Sequence, residues 1–117
     1  MVIGYKVVRI DNGELVSAFN DGYIRKYSVG EWTKPRDNDG PLALFKEKKQ
    51  AVDFFHIHSS CYNKHLIYKC EYEESDDNTL WCCTSDGMKI YIYFNIPNNT
   101  IFADKIKLIE EIVYEEI

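Results

Sequence analysis

The chain has 117 residues, of which 45% are hydrophobic, 15% aromatic and 28% charged, and its formal net charge is −5 at pH 7. This composition excludes an intrinsically disordered chain, because disordered segments contain few aromatic residues, and the length suits a single domain spanning residues 1–117. The negative charge makes nucleic acid and membrane surfaces unfavourable partners, because phosphates and anionic headgroups repel an acidic protein at long range.

The N-terminus and the cysteines predict a cytoplasmic protein with reduced thiols. The opening MVIGYKVVRI lacks the basic region and the long apolar run of a signal peptide. No later stretch approaches the roughly 18 apolar residues of a membrane-spanning helix. The four cysteines include the adjacent pair Cys82 and Cys83, which is not the spacing of a secreted disulfide framework. If the protein is viral, the expected location is the host cytoplasm.

The charges are distributed unevenly along the chain. Residues 1–50 carry nine Lys and Arg against seven Asp and Glu, a net of +2, whereas residues 51–117 carry five against twelve, a net of −7. An acidic C-terminal half favours a basic protein partner. The alternative is that these charged side chains are solvated and only keep the protein soluble.

The first third of the chain predicts an antiparallel meander. Three segments rich in strand-forming residues, VIGYKVVRI, ELVSAF and YIRKYSV, are separated by DNG and NDG, in which glycine can adopt the positive φ of a hairpin turn. Residues 34–41 are polar and predict a loop, and LALFKE then returns to strand character.

One amphipathic helix and a second group of strands follow. A stretch without glycine or proline places four side chains at helical spacing: Ala51, Val52, Phe55 and His58. It predicts one short helix near residues 47–58. LIYKCEYE then predicts a strand, ESDDN an acidic loop, and WCCTSDGMKIYIYFNI a hairpin that turns at SDG.

The C-terminal segment 102–117 fits the period of a helix better than the alternation of a strand. The residues at helical spacing are Phe102, Ile106, Ile109, Val113 and Ile117. For the rest of the chain the pattern predicts an α+β fold, with a mainly antiparallel sheet of about six to eight strands and one principal helix.

Three histidines and one cysteine lie within ten residues, at His56, His58, Cys61 and His65. Cys61 and His65 have a spacing found in zinc sites. His56 and His58, however, point about 200° apart on a helix, and they could face one ion only on a strand or in a loop. We therefore expect packing at the end of the helix, and a zinc-stabilised module is the alternative.

Four aromatic residues near turns are the predicted contacts with a protein partner: Tyr27, Trp32, Tyr62 and Trp81. Exposed Trp and Tyr residues dominate binding hot spots, whereas the alternative for Trp32 and Trp81 is that they fill the core. YIRKYSVGEWTK also mixes aromatic and basic residues as nucleic-acid surfaces do, but strand alternation would divide Arg25 from Lys26. The sequence contains no phosphate-binding glycine motif and no self-sufficient catalytic motif, which argues against an enzyme and implies no cofactor.

The segments GYKVVR, LVSA, YSVGEWTKP, LALFKEKKQAVDFF, LIYKCEY and IFADKIKLIEEI, in this order, resemble small domains of phage, bacterial and large-virus genomes. These domains share an opening Y-x-V strand, a Y-x-V-G motif, a strand leading into an Ala-Phe helix, and a closing Ala-Asp strand. The resemblance covers most of the chain and implies an α+β fold in which ADKIKLIEEI is a strand, which we adopt over the helix. It implies no activity.

A second resemblance is to the ADP-ribosyltransferase fold, which also opens with a strand bearing an Arg or His and later uses a Ser or Tyr and a Glu around the nicotinamide. Arg9, Ser17 and either Glu110 or Glu111 match these roles by residue type. This resemblance implies binding of NAD or a nucleotide as an alternative function.

Small size, an acidic C-terminal half and aromatic residues near turns predict a non-enzymatic accessory protein of viral or phage type. We expect it to bind a macromolecule, with protein as the expected partner.

Overall fold

The computed structural model describes residues 2–18, 25–36, 40–60, 64–83, 86–92, 97 and 99–113. In this part of the chain the elements are β1 (Ile3–Asp11), β2 (Glu14–Ser17), β3 (Lys26–Tyr27), β4 (Trp32–Thr33), β5 (Leu42–Phe45), α1 (Lys48–His58), β6 (His65–Glu74), β7 (Leu80–Cys83), β8 (Lys89–Ile92) and β9 (Thr100–Ile112). Seven strands form one antiparallel sheet, and β7 and β8 form a separate pair. The predicted α+β fold, with a mainly antiparallel sheet and one short helix, is confirmed.

The first hairpin forms where the sequence predicts it. Asn12 and Gly13 have φ angles of 51° and 78°, left-handed values that suit a two-residue hairpin turn and that asparagine and glycine adopt most readily. The turn pairs β1 with β2 and places Val8 opposite Ser17. β3 then pairs with β2 and completes the meander.

The strands β1, β5, β9 and β6 close into a ring. β6 pairs with β1 along one edge and with β9 along the other, while β5 pairs with both β1 and β9. β2 pairs with the part of β1 that does not pair with β5, and β4 pairs with the part of β9 that does not pair with β5. Closure gives the ring an inner and an outer face, and alternate residues of each strand occupy them.

The inner face of the ring is an apolar core to which all four strands contribute. Val8 of β1, Leu44 of β5, Cys70 of β6 and Leu108 of β9 are fully buried in it. Burial raises the pKa of the Cys70 thiol to about 12, so the group stays protonated. Cys70 therefore acts as a small apolar side chain.

Lys6 also lies on the inner face, two residues before Val8, and is fully buried. Its ammonium nitrogen donates to the backbone oxygen of Ala43 at 2.5 Å and lies 5.4 Å from the centre of the Tyr27 ring. Nothing in the sequence around Lys6 marks this side chain as buried. Strand alternation predicts which residues share a face but not which face becomes internal.

The helix α1 packs on the outer face of the ring. Ala51 and Phe54 are buried there, and the rings of Phe54 and Phe45 have their centres 5.6 Å apart. The predicted buried side of the helix was partly wrong, because Phe55 is only half-buried and His58 is exposed. Phe54 and Phe55 follow Ala51 by three and four residues, so either side chain could face the core on a helix. The contact with Phe45 is made by Phe54, which is the buried one. Among the described residues, no helix is both long enough and apolar enough to cross a bilayer.

The described part of the C-terminal segment forms strand β9, as the resemblance implies, and the helical interpretation is wrong there. The register with β6 shifts at Asp104 and Ile109, where an extra residue in β9 interrupts the alternation as a β-bulge does. The buried residues Ala103, Ile106 and Leu108 consequently stand three and two positions apart. This spacing departs from strict strand alternation, so the alternating pattern of a strand is weak in this part of the sequence.

Candidate functional site

Trp32 lies at the edge of the main sheet with 41% of its area exposed. The pairing of β4 with β9 places Trp32 opposite Lys107, and Lys105 lies two positions earlier on the same face of β9. The ammonium nitrogens of Lys105 and Lys107 are 4.5 Å and 5.1 Å from the centre of the indole ring. Cation–π contacts at exposed sites contribute about 0.5–1 kcal/mol each, so they help to hold the ring in place.

A row of acidic side chains borders the two lysines on the side away from Trp32. The register of β6 and β9 places Glu73 opposite Lys105 and Glu71 opposite Lys107, and Lys105 forms an ion pair with Glu73 at 3.4 Å. An exposed ion pair contributes at most about 1 kcal/mol, so it orients Lys105 more than it stabilises the fold. The surface thus presents a ring, two cations and two anions on successive strands.

Trp81 lies on β7, is half-buried, and is fixed by three contacts. Its indole Nε1–H donates to Oδ2 of Asp77 at 2.8 Å, and the ammonium nitrogen of Lys89 lies 4.1 Å from the ring centre. The backbone N–H of Gly40 donates to the backbone oxygen of Trp81 at 2.7 Å. This close approach requires glycine, since a Cβ at position 40 would stand 2.5 Å from the indole Cδ1.

Asp77 accepts hydrogen bonds through both of its carboxylate oxygens. Oδ1 accepts from the backbone N–H of Thr79 at 3.1 Å and from the Thr79 hydroxyl at 2.7 Å, while Oδ2 accepts from Trp81. The Thr79 hydroxyl, followed by the Trp81 indole N–H, favours the charged form and holds the pKa of the Asp77 carboxyl below its ordinary value. Asp77 is therefore negatively charged at neutral pH.

A cavity of about 170 Å³ lies beside Trp81. Its lining includes Pro35, Gly40, Pro41, Asp77, Trp81 and Asp104. Pro35 follows Trp32 by three residues, and Asp104 precedes Lys105, which contacts the Trp32 ring. We call this cavity the Trp81 cavity. Together with Trp32, Lys105 and Lys107 it forms what we call the Trp surface.

The two predicted tyrosine contacts do not lie on the Trp surface as the structure describes it. Tyr27 is in the core with 5% of its area exposed, because β3 pairs it with Leu15 and turns its ring towards the inner face. A partner could not reach this ring in the folded protein. Tyr62 lies outside the described residues.

The three histidines occupy different environments. His56 and His58 are exposed at the end of α1, whereas His65 on β6 is buried. The ring of His58 packs against Phe54 at 4.2 Å between centres, and the centres of His58 and His65 are 6.4 Å apart. Cys61 lies outside the described residues. Within the described ranges no three potential metal-ligating side chains converge.

The residues that match the ADP-ribosyltransferase roles are not brought together. Ser17 lies opposite Val8 and shares the inner face with it, so Arg9, the residue after Val8, points to the outer face. Ser17 is buried, whereas Glu110 and Glu111 are exposed on β9. This arrangement does not assemble a nicotinamide site from these side chains.

A larger cavity of about 310 Å³ lies near the C-terminal end of α1. Its walls include the apolar side chains of Phe55, Ile67 and Ile112, together with the exposed, oppositely charged Lys64 and Glu111. The volume is at the lower end of the range for small-molecule sites, about 300–1,000 Å³. One lysine beside a glutamate is a poor arrangement for a phosphate, so this cavity does not favour nucleotide binding.

Trp32 and Trp81 were predicted from the sequence, but the residues that fix them were not. Lys105 and Lys107 alternate along one strand, which indicates a shared face, yet they are more than seventy positions from Trp32. The turn-forming SDDNT sequence could have indicated Asp77 as a side-chain acceptor. The role of Gly40 carries no signal in the sequence, because it depends on a contact with β7.

Comparisons of the chain with protein-family models, with curated proteins and with solved structures find no match.

Proposed function

We propose that the protein is a small non-enzymatic accessory protein, of viral or phage type, that binds another protein through the Trp surface. The observation that supports this most strongly is the exposed indole of Trp32, which Lys105 and Lys107 hold on the sheet. The proposal includes a cytoplasmic location and no cofactor.

An indole held in this way suits protein binding for a physical reason. A partner that covers it gains the free energy of removing apolar surface from water. The cost in side-chain entropy is small, because the ring has few rotatable bonds and the two lysines already restrict it. Tryptophan is accordingly among the residues most enriched at binding hot spots.

The charges around Trp32 suit the border of such an interface. Lys105 and Lys107 lie on one side of a boundary and Glu71 and Glu73 on the other, so the surface alternates in sign over two strands. A pattern of this kind favours partners with complementary charges and disfavours others, since like charges in contact are repelled.

Affinity capture followed by a binding measurement tests the proposal. Wild-type protein, Trp32→Ala and Ile57→Ala would each be used to capture proteins from a host-cell extract. Ile57 is 76% exposed on α1, which packs against β1, β5 and β6, and it serves as the matched control. A protein captured by the wild type would then be purified and its dissociation constant measured for all three.

We expect Trp32→Ala to weaken binding at least tenfold and Ile57→Ala to change it less than twofold, with both variants melting near the wild-type temperature. Equal affinity of the wild type and Trp32→Ala would overturn the proposal. So would the failure of the wild type to retain any protein.

A further inference from the structure

The lining of the Trp81 cavity combines an indole ring with two carboxylates from separate parts of the chain. Asp77 belongs to the turn before β7, and Asp104 lies in β9. Pro35 and Pro41 supply further apolar surface that is rigid, because the proline ring fixes φ. The site therefore places negative charge beside an indole ring, and an organic cation is attracted to both.

Both carboxylates can accept a further hydrogen bond. Oδ2 of Asp77 accepts one bond, from the Trp81 indole, and a carboxylate oxygen has room for two. Asp104 is exposed and forms no ion pair or side-chain hydrogen bond with any part of the chain that the structure describes. Asp104 is thus available to a ligand without the loss of an existing contact.

The chain itself shows that the Trp81 ring attracts a cation. The ammonium nitrogen of Lys89 lies 4.1 Å from the ring centre, and Lys89 is not among the residues that line the cavity. A second cation in the cavity would interact with Asp104 and with Asp77, whose charge Lys89 already balances in part.

We propose that the Trp81 cavity receives the guanidinium group of an arginine side chain from the protein partner. This inference rests on the proposed function and specifies the partner's chemistry. A planar guanidinium stacks on an aromatic ring and can bond carboxylates through several N–H groups at once, which an ammonium cannot.

The size of the cavity agrees with this occupant. A volume of about 170 Å³ equals that of about six water molecules in the liquid, at about 30 Å³ each. A guanidinium group and its adjoining methylene contain five non-hydrogen atoms. A basic partner also agrees with the formal net charge of −5, which favours the approach of positively charged proteins.

NMR titration of the full chain with N-acetyl-arginine amide tests the inference without the partner. The chain has two tryptophans, so two indole N–H signals are expected, and Trp32→Phe assigns them. N-acetyl-citrulline amide, which has the same shape without the charge, and sodium chloride at equal ionic strength are the controls. Asp104→Asn is the test variant, and Asp53→Asn, at an exposed position of α1, is its match.

We expect arginine amide to shift the Trp81 signal to saturation and to leave the Trp32 signal in place. Asp104→Asn should weaken this binding about three- to tenfold, and Asp53→Asn should not change it. The inference is overturned if citrulline amide acts equally, if Asp104→Asn binds as well as the wild type, or if only the Trp32 signal moves. Equal binding of N-acetyl-lysine amide would overturn the selection of arginine.

The titration and the capture experiment fail independently of each other. Saturable binding of arginine amide without any effect of Trp32→Ala on partner affinity would support the cavity and reject the proposed function of Trp32. The reverse result would support the Trp surface as a binding site and reject arginine as the occupant of the cavity.

Discussion

The four-strand ring and the β7–β8 hairpin are both antiparallel, but different contacts hold them. The ring buries apolar side chains on two faces, with its core inside and α1 outside. The hairpin contributes Leu80 to the packing under α1 and leaves Met88, Ile90 and Tyr91 exposed. Polar and close backbone contacts around Trp81 connect it to the rest of the molecule.

This difference links the stability of the hairpin to the shape of the proposed site. A two-stranded hairpin alone is at best marginally stable in water, so its attachment matters more than its internal pairing. The attaching residues Gly40, Asp77 and Trp81 are also the walls of the Trp81 cavity. Changes there should alter the hairpin and the site together, whereas the ring should respond only to changes in its own packing.

The largest expected effect is in the ring. Leu108→Ala leaves a cavity in the inner core and should lower the free energy of unfolding by about 2–5 kcal/mol, measured by urea denaturation. The next residue provides the control, since Ile109 is 38% exposed and its replacement by Ala should cost less than about 1 kcal/mol. Equal losses for the two variants would contradict the inner face assigned to β9.

Gly40→Ala should act on the hairpin and spare the ring. The added Cβ would stand 2.5 Å from the indole of Trp81, so the hairpin must move, at an expected cost of about 1–3 kcal/mol. Hydrogen exchange should accelerate at the amides of β7 and β8 and change little in β1 and β6. Equal acceleration throughout would show that hairpin and ring open as one unit, against the distinction drawn between them.

Lys6→Met tests whether apolar packing holds the ring. Methionine has a similar length and needs no partner for a buried charge, so the free energy of unfolding should stay the same or rise by up to about 2 kcal/mol. Thermal unfolding gives the measurement, and Lys26→Met, on an exposed side chain, gives the control. A loss greater than about 1 kcal/mol would mean that the contacts of Lys6 with Ala43 and Tyr27 support the core.

The smallest expected effect is the pH dependence that Asp77 adds at the hairpin. Its carboxyl has a lowered pKa in the folded protein, so it binds a proton less readily there than in the unfolded chain, where the pKa is about 3.9. Its contribution, about 1 kcal/mol for one hydrogen-bonded group, is complete above about pH 4 and is lost as the pH falls through the folded pKa.

Urea unfolding between about pH 5 and pH 2 should therefore show the difference between wild type and Asp77→Asn shrinking as the pH falls. Asp76→Asn, at the exposed neighbouring position, should follow the wild type over the whole range. A difference that is constant with pH would exclude a role for the ionised Asp77 carboxylate.

Local features of the fold were predictable from the sequence, but the closure of the ring was not. The turn at Asn12 and Gly13 and the helix near residues 47–58 depend on neighbouring residues, and both were found. Closure depends on β6 pairing with both β1 and β9, which are far apart in the chain. The bulges at Asp104 and Ile109 each shift the alternation of β9 by one residue, so the strand pattern of this segment was weak in the sequence.

In the candidate site, too, local features were predictable from the sequence and long-range contacts were not. Composition and turn positions indicated Trp32 and Trp81, since aromatic residues near turns are often exposed. Tyr27 met the same criterion but is buried, because its short strand pairs with β2 and faces the core. The neighbours of each ring come from distant strands, so no local pattern could distinguish the two cases.

The most direct test of the Trp surface is site-specific photo-crosslinking to the captured partner. A benzoylphenylalanine residue would replace Trp32 in one protein and Ile57 in another, and each would be irradiated with the purified partner. We expect a covalent adduct from position 32 and none from position 57, because the partner should cover β4 and leave this side of α1 exposed. An adduct from position 57 with none from position 32 would contradict the central claim that the partner binds at the Trp surface.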